Sequence, residues 1–268
     1  MSTHEKFGLI IVGDEILSGK REDKHLPKVI ALLAARGLAL AWARYVGDER
    51  ELITAALRDA FAGGDIVFSC GGIGATPDDH TRQCAAAALG LPLELHPQAK
   101  ALILERLRDI SREQGTPYEP DKPDVVHRLN MGVFPQGASL IANPFNKIPG
   151  FSIGEVHFVP GFPVMAHPMI ESLLDNRYKH LHGSSRLVER SVIVFGAIEA
   201  SLTPLMEQIE ANHTGVRVFS LPSVDHPTYG RHIELGVKGS AEACLLAYAG
   251  LISGLHDFGA KLGPEMVR

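Results

Sequence analysis

The sequence predicts an α/β fold: a three-layer αβα domain with a mostly parallel sheet, followed by a small α+β domain. Three observations carry this. Short apolar runs alternate with amphipathic helical stretches along the first third of the chain. Glycine- and acid-rich turns stand where those strands would end. After a polar, irregular stretch at 176–185 the order changes to strand–helix–strand–strand–helix. The expected domains are therefore 1–178 and 184–268.

Phe7–Val12 is an apolar run suited to a strand buried on both faces. His25–Arg36 carries Leu26, Val29, Ile30 and Leu33 at helical spacing, and Gly37 stands where a helix-terminating glycine belongs. Leu38–Val46 reads as the next strand. Asp48 then opens a capping box with Glu51, and Leu52, Ala55 and Ala56 continue an apolar helix face. Ile66–Ser69 is a third strand, and a helix is expected from about Asp79 to Leu89. Pro97–Glu113 reads as a helix, Gly115–Asp124 with its three prolines as an exposed loop, Ala138–Ile141 and Val156–Val159 as strands, and Phe162–Leu174 as a helix. In the second domain the strands are Leu187–Phe195, Val216–Leu221 and Arg231–Val237, and the helices are Ser201–Asn212 and Ala241–Leu255.

Composition narrows the function classes. Among 268 residues, 45% are hydrophobic and 21% charged, which excludes disorder. With 26 Lys and Arg against 31 Asp and Glu, the net charge of −5 argues against a nucleic acid or an anionic membrane as partner. The second domain shows the same balance. Its Gly236-Val237-Lys238-Gly239 matches the GxxG of RNA-binding KH modules, but it follows a strand instead of joining two helices. The long uncharged stretch from Leu129 to Asn146 holds prolines, glycines and asparagines and is not a spanning helix, and Phe7–Val12 is too short for a signal core. Three cysteines (Cys70, Cys84, Cys244) without a CxxC give neither a disulfide framework nor a zinc site, so a reducing cytoplasm is the expected compartment.

The chemistry concentrates in Ser69-Cys70-Gly71-Gly72-Ile73-Gly74-Ala75-Thr76-Pro77-Asp78-Asp79-His80-Thr81, between a strand and a helix. Three glycines let backbone amides approach an anion, and the helix start adds partial positive charge. The plainer reading is a glycine turn closed by an Asp N-cap. It leaves the second acid unexplained, and two adjacent carboxylates beside a phosphate call for a bridging divalent cation. Asp14 and Glu15, with Ser18 and Gly19 just beyond, follow the first strand; they face the same ligand or merely cap a helix. Asn143 to Phe151 contains Lys147 and is either a phosphate-facing loop or a surface turn. His80 either touches substrate or faces outward. Cys70 reads as a small buried residue and not as a nucleophile.

GDEILSG after the first strand, GGIGATPDDHT after the third, PQGASLIANPFNKIPGF and VPGFP occur in this order. Together they resemble the molybdopterin-binding domain shared by CinA proteins, the MogA and MoaB proteins of molybdenum cofactor synthesis, and the amino-terminal part of eukaryotic FAD synthase. The likeness runs from about Phe7 to Leu174, and the second domain resembles the small middle domain of CinA. The chain resembles a short CinA form without the carboxy-terminal deamidase domain. In the CinA-like branch the resemblance implies a metal-dependent nucleotide pyrophosphatase, a hydrolase acting on ADP-ribose or FAD with Mg²⁺, Mn²⁺ or Co²⁺. The alternative is a molybdopterin-binding protein without turnover. Either way the partner is a phosphorylated small molecule, nucleotide or pterin, and a homo-oligomer is expected. The resemblance further implies that Gly71, Gly72, Gly74, Thr76 and Thr81 cradle phosphates, and that Asp78 and Asp79 are catalytic and hold the metal. Asp14, Glu15 and Ser18 would line the pocket, with Asn143, Lys147, Pro149 and Gly150 closing it. The chain departs from the family pattern at Ser69-Cys70, Ala75, Lys147 and Phe162-Pro163-Val164-Met165, which lacks a Ser and a Glu.

Overall fold

The computed structural model describes residues 6–119, 122–184 and 187–268. The chain divides into two compact units, Met1–His182 and Gly183–Arg268. In the first, the elements run β1 (Phe7–Val12), α1 (Asp14–Leu17), α2 (His25–Ala34), β2 (Leu40–Val46), α3 (Arg50–Gly63), β3 (Ile66–Cys70), α4 (Thr81–Leu89) and β4 (Leu93–Leu95). They continue with α5 (Pro97–Gln114), α6 (Pro123–Leu129), β5 (Val133–Pro135), β6 (Ser139–Ile141), β7 (Gly150–Ile153), β8 (Val156–Val159) and α7 (Pro163–Asn176).

A six-stranded sheet in the order β2-β1-β3-β8-β7-β6 is the frame. The pairings of β1 with β2, β1 with β3 and β3 with β8 are parallel; β7 and β6 are added antiparallel. All six residues of β1 are buried, and the period-2 alternation of a strand divides them between two cores. Phe7, Leu9 and Ile11 pack with Val29 and Leu33 of α2 and Met169, Ile170 and Leu174 of α7. Ile10 and Val12 pack on the other face with Ile53 and Leu57 of α3 and Cys84 and Ala85 of α4. This is the three-layer arrangement expected from the sequence. Leu33 and Leu57 are both fully buried, and truncating either to Ala costs about 2–5 kcal/mol.

Several local expectations change. Asp48 does not cap α3: Glu49 occupies the N-cap position with no side-chain bond, and Leu52 faces solvent while Ile53 is buried. The proline-rich stretch leads into α6, whose first residue is Pro123, a position where the missing N–H would have no helical partner anyway. The strands β4 and β5 are three residues each and, among the described residues, form a two-stranded sheet of their own. Part of the expected 143–151 loop is β7, which a turn at Gly154-Glu155 returns along β8. Gly150 belongs to this strand, where a side chain would strike the Phe158 carbonyl.

The second unit comprises β9 (Val188–Phe195), α8 (Glu199–Asn212), β10 (Arg217–His226), β11 (Gly230–Gly239), α9 (Ala241–Asp257) and β12 (Lys261–Val267). Its sheet, β10-β11-β9-β12, is antiparallel throughout. Both helices share its core: Leu202, Ile209, Ala247 and Leu251 meet Val192, Val194, Leu235 and Val237. The order is therefore βαββαβ. The closing strand β12 escaped the sequence pattern because Gly263 and Pro264 interrupt it, at a register shift between Leu262 and Glu265. Gly236 and Gly239 lie within β11, where Gly236 gives room to Phe219 and Ser191. Among the described residues no helix is long and apolar enough to cross a membrane.

Candidate functional site

The parallel strands β1, β3 and β8 end side by side, and the loops leaving them surround a cleft of about 610 Å³. In an open α/β sheet this edge is where ligands bind. The cleft is lined by Gly13 and Glu15 after β1, Asp48 after β2, Gly71 to Thr76 with Asp78 and Asp79 after β3, and Pro160 to Phe162 after β8. The β6–β7 loop supplies Asn143, Asn146, Ile148 and Pro149.

The glycine loop is held from behind. Thr81 Oγ1 donates to the Gly71 carbonyl at 3.1 Å, and the Thr81 amide donates to the Gly72 carbonyl at 3.0 Å. Arg82 Nη1 donates to the carbonyls of Ile73 and, at 2.6 Å, Gly74. A trans peptide points its N–H opposite to the preceding C=O. Four carbonyls drawn back onto the start of α4 therefore turn the N–H groups of Gly72, Ile73, Gly74 and Ala75 the other way. All four residues line the cleft, and among the described residues none of these amides has an acceptor. Successive inward amides of this kind form an anion-binding nest. Gly71 and Gly72 have φ of 107° and 68°, and a Cβ at Gly72 would strike Thr81 Oγ1.

Asp79 completes the loop. Its Oδ2 accepts the Thr76 amide at 2.8 Å and the Thr76 hydroxyl at 2.5 Å, so it closes a turn and does not cap α4, whose N-cap is His80. The nearby Thr76 hydroxyl, with the backbone amide of Asp78 itself, holds the exposed Asp78 carboxylate below its ordinary range.

Opposite the nest the wall is acidic. Asp14 and Asp48 exchange hydrogen bonds between the ends of β1 and β2, each carboxylate accepting the other's amide at 3.0 and 3.2 Å. Burial raises the Asp48 carboxyl, and the charges of Asp14, Glu15 and Asp78 add to the rise against the lowering bond from the Asp14 amide. Such like-charge crowding marks a site short of positive charge.

The other expected site residues separate into two groups. Glu15, Gly71, Gly72, Gly74, Thr76, Asp78, Asp79, Asn143 and Pro149 line the cleft. Asp14, Ser18, Thr81, Lys147 and Gly150 are not among its lining residues. Asp14 is spent on Asp48, Ser18 is exposed, Thr81 is fully buried behind the loop, and Gly150 is in β7. Lys147 takes a left-handed conformation (φ 64°) and directs its ammonium to Glu105 and Asp109 of α5, both at 2.6 Å. Asn143 is buried and braces its loop, donating to Asn146 Oδ1 and the Ile148 carbonyl and accepting the Phe145 amide. Cys70 is buried and its thiol is pushed far up by desolvation, which removes it as a nucleophile. His80 does not line the cleft.

Sequence reasoning missed Arg21, the cation of the lining, and the apolar wall of Met131, Ile148, Phe162 and Met165. Ile148, Phe162 and Met165 lie within the segments compared with the family pattern but receive no role from it, and no motif flags Arg21 or Met131; the Pro160-Gly161-Phe162 turn is placed by a bond from His25 Nε2 to the Gly161 carbonyl at 3.0 Å.

Comparison with known proteins places this geometry. The family model described as "Probable molybdopterin binding domain" matches residues 8–180. A CinA-like protein of Anaeromyxobacter dehalogenans (strain 2CP-1) is 34% identical over 160 residues, 58% of this chain and 37% of that relative. The match thus covers little more than a third of that relative. A protein of Pyrobaculum arsenaticum is 30% identical over 242 residues, 88% of each chain. The crystal structure of the protein CinA from Thermoplasma acidophilum superposes with a TM-score of 0.54 and 26% identity, covering 64% of this chain and 98% of the other. With the αβα sheet, the glycine loop at its edge and the family match over most of its length, the chain belongs to the molybdopterin-binding domain family and is similar to CinA-like proteins.

Proposed function

We propose that the protein hydrolyses the pyrophosphate bond of a dinucleotide-type substrate such as ADP-ribose or FAD, assisted by a divalent cation. The observation that carries this reading is the meeting of a four-amide nest with an acidic wall across one cleft. The nest suits non-bridging phosphate oxygens; the carboxylates would repel the same phosphate without a cation between them. Among the described residues no three His, Cys, Asp or Glu side chains gather as a metal group. The donor set fits an ion such as Mg²⁺ that keeps several waters and is shared between one or two carboxylates and substrate oxygens. Asp78, exposed and held ionised, and Glu15 would hold it, in place of the Asp78–Asp79 pair the sequence pointed to. Bound there, it would supply charge neutralisation and a more acidic water.

The chain's own groups would do the rest. The amides of Gly72 to Ala75 hold the phosphate, Met131, Ile148, Phe162 and Met165 receive a flat ring, and Asp48, whose carboxyl is raised, accepts a proton from the attacking water. AMP release from ADP-ribose and FAD with Mg²⁺, Mn²⁺ or Co²⁺ tests the reading. Ion-dependent AMP that disappears in Asp78→Ala supports it; no AMP from folded protein with any of the three ions overturns it. A second reading, a phosphorylated pterin bound without turnover, rests on the same nest and apolar wall together with the family's description.

A further inference from the structure

We infer that Arg82 is a positioning residue for the bound anion, setting both the direction of the loop amides and the charge behind them; this rests on the phosphate reading of the cleft. Arg82 is 3% exposed, on the first turn of α4. Among the described residues its guanidinium forms no ion pair, and its Nη1 donates to the carbonyls of Ile73 and Gly74. The negative charge that acts on it is Asp79, whose Oδ2 is already turned onto Thr76. A buried cation without a counter-charge is costly, and a carbonyl supplies only part of one.

The geometry shows where the remainder comes from. The peptides whose oxygens accept from Arg82 are the ones whose hydrogens, on Gly74 and Ala75, face the cleft. An anion on those hydrogens and the guanidinium on those oxygens lie at opposite ends of the same dipoles and polarise them in the same sense. Arg82 and the ligand phosphate are therefore a charge pair joined through two peptide groups. The pair favours a ligand of higher negative charge. Thr81, one residue earlier, does the same for Gly72 and Ile73 with neutral donors.

The test is the dissociation constant of inorganic pyrophosphate, by calorimetry at low and at physiological ionic strength, for the unaltered chain, Arg82→Lys and Arg82→Gln. The Trp42 melting transition of each is followed alongside. Lys keeps the charge but lacks the planar fork that bonds two carbonyls, whereas Gln keeps a donor and loses the charge. Gln is expected to weaken pyrophosphate about tenfold or more and to flatten its salt dependence, with Lys weakening it about threefold. Gln binding like the unaltered chain, or Lys as weak as Gln, overturns the inference, since a purely structural role would not rank them by charge. Should Arg82→Gln not fold, Arg82→Lys decides alone: a clear loss supports the inference and an unchanged constant overturns it. Failure of the unaltered chain to bind pyrophosphate is a different result, which removes the phosphate reading itself and this inference with it.

Discussion

Acidification should destabilise the first unit through His157. This histidine is fully buried in β8, where Nδ1 meets the Ser152 hydroxyl at 2.7 Å and Nε2 meets the Tyr178 hydroxyl. Tyr178 in turn donates to Glu155, which Arg177 pairs at 2.7 Å. Desolvation, the main cause, with the charge of Arg177, pushes His157 down from 6.5 to about 3. The unfolded chain therefore binds a proton near pH 6.5 that the folded chain refuses until about pH 3. Stability from this group is complete above pH 6.5 and falls as pH drops through the interval, by about 1.4 kcal/mol per unit. Between pH 7.5 and 5 the loss is about 2 kcal/mol. Carboxylates held low by partners, such as Asp175 by Arg36, lose their share only at lower pH. His167, lowered by burial and by His25, shifts in the same sense, so a variant is needed. The chain has one tryptophan, Trp42 in β2, bonded to Asp65, so urea unfolding followed by its fluorescence reports this unit alone. His157→Gln should be less stable at pH 7.5, and its stability should fall by about 2 kcal/mol less on going to pH 5. Equal pH dependence in the two proteins would refute the reasoning.

Three further outcomes are expected. Gly72→Ala places a side chain at φ 68° against Thr81; it should cost about 1–3 kcal/mol in urea unfolding and abolish pyrophosphate binding by calorimetry. Asp79→Ala removes the acceptor of the Thr76 turn and should cost about 1 kcal/mol by the Trp42 signal, whereas Asp78→Ala, at an exposed site, should leave the urea midpoint in place and remove AMP release. Lys147→Gly loses two surface ion pairs and relieves a left-handed backbone; the two changes oppose each other, so the urea midpoint should stay in place, with pyrophosphate affinity unchanged.

The sheet was readable because β1 and β3 are short, largely apolar runs each followed directly by a glycine, a pattern that burial on both faces imposes. The elements that were not readable are those whose local signal opposes their state. Pro123 opens a helix, Gly263 and Pro264 interrupt a strand, and β7 begins inside a stretch of turn formers. At the site, the glycine loop announced itself by composition, but the division of labour within it did not. Which of two adjacent aspartates bends back onto Thr76 depends on the loop's path, and so does the use of Arg82 as a brace. Asp48 has the spacing of a helix cap, yet the neighbouring strand end offers it the Asp14 amide. Arg21 and the apolar wall come together only through tertiary packing.

The central claim is that the amides of Gly72, Ile73, Gly74 and Ala75 receive a phosphate. Titration of ¹⁵N-labelled protein with inorganic pyrophosphate, read residue by residue from the amide resonances, tests it most directly. The account predicts that these four amides move furthest downfield and saturate together, and that Arg82→Gln weakens the response of all four. Shifts confined to other residues, with these four amides unmoved at saturation, would contradict it.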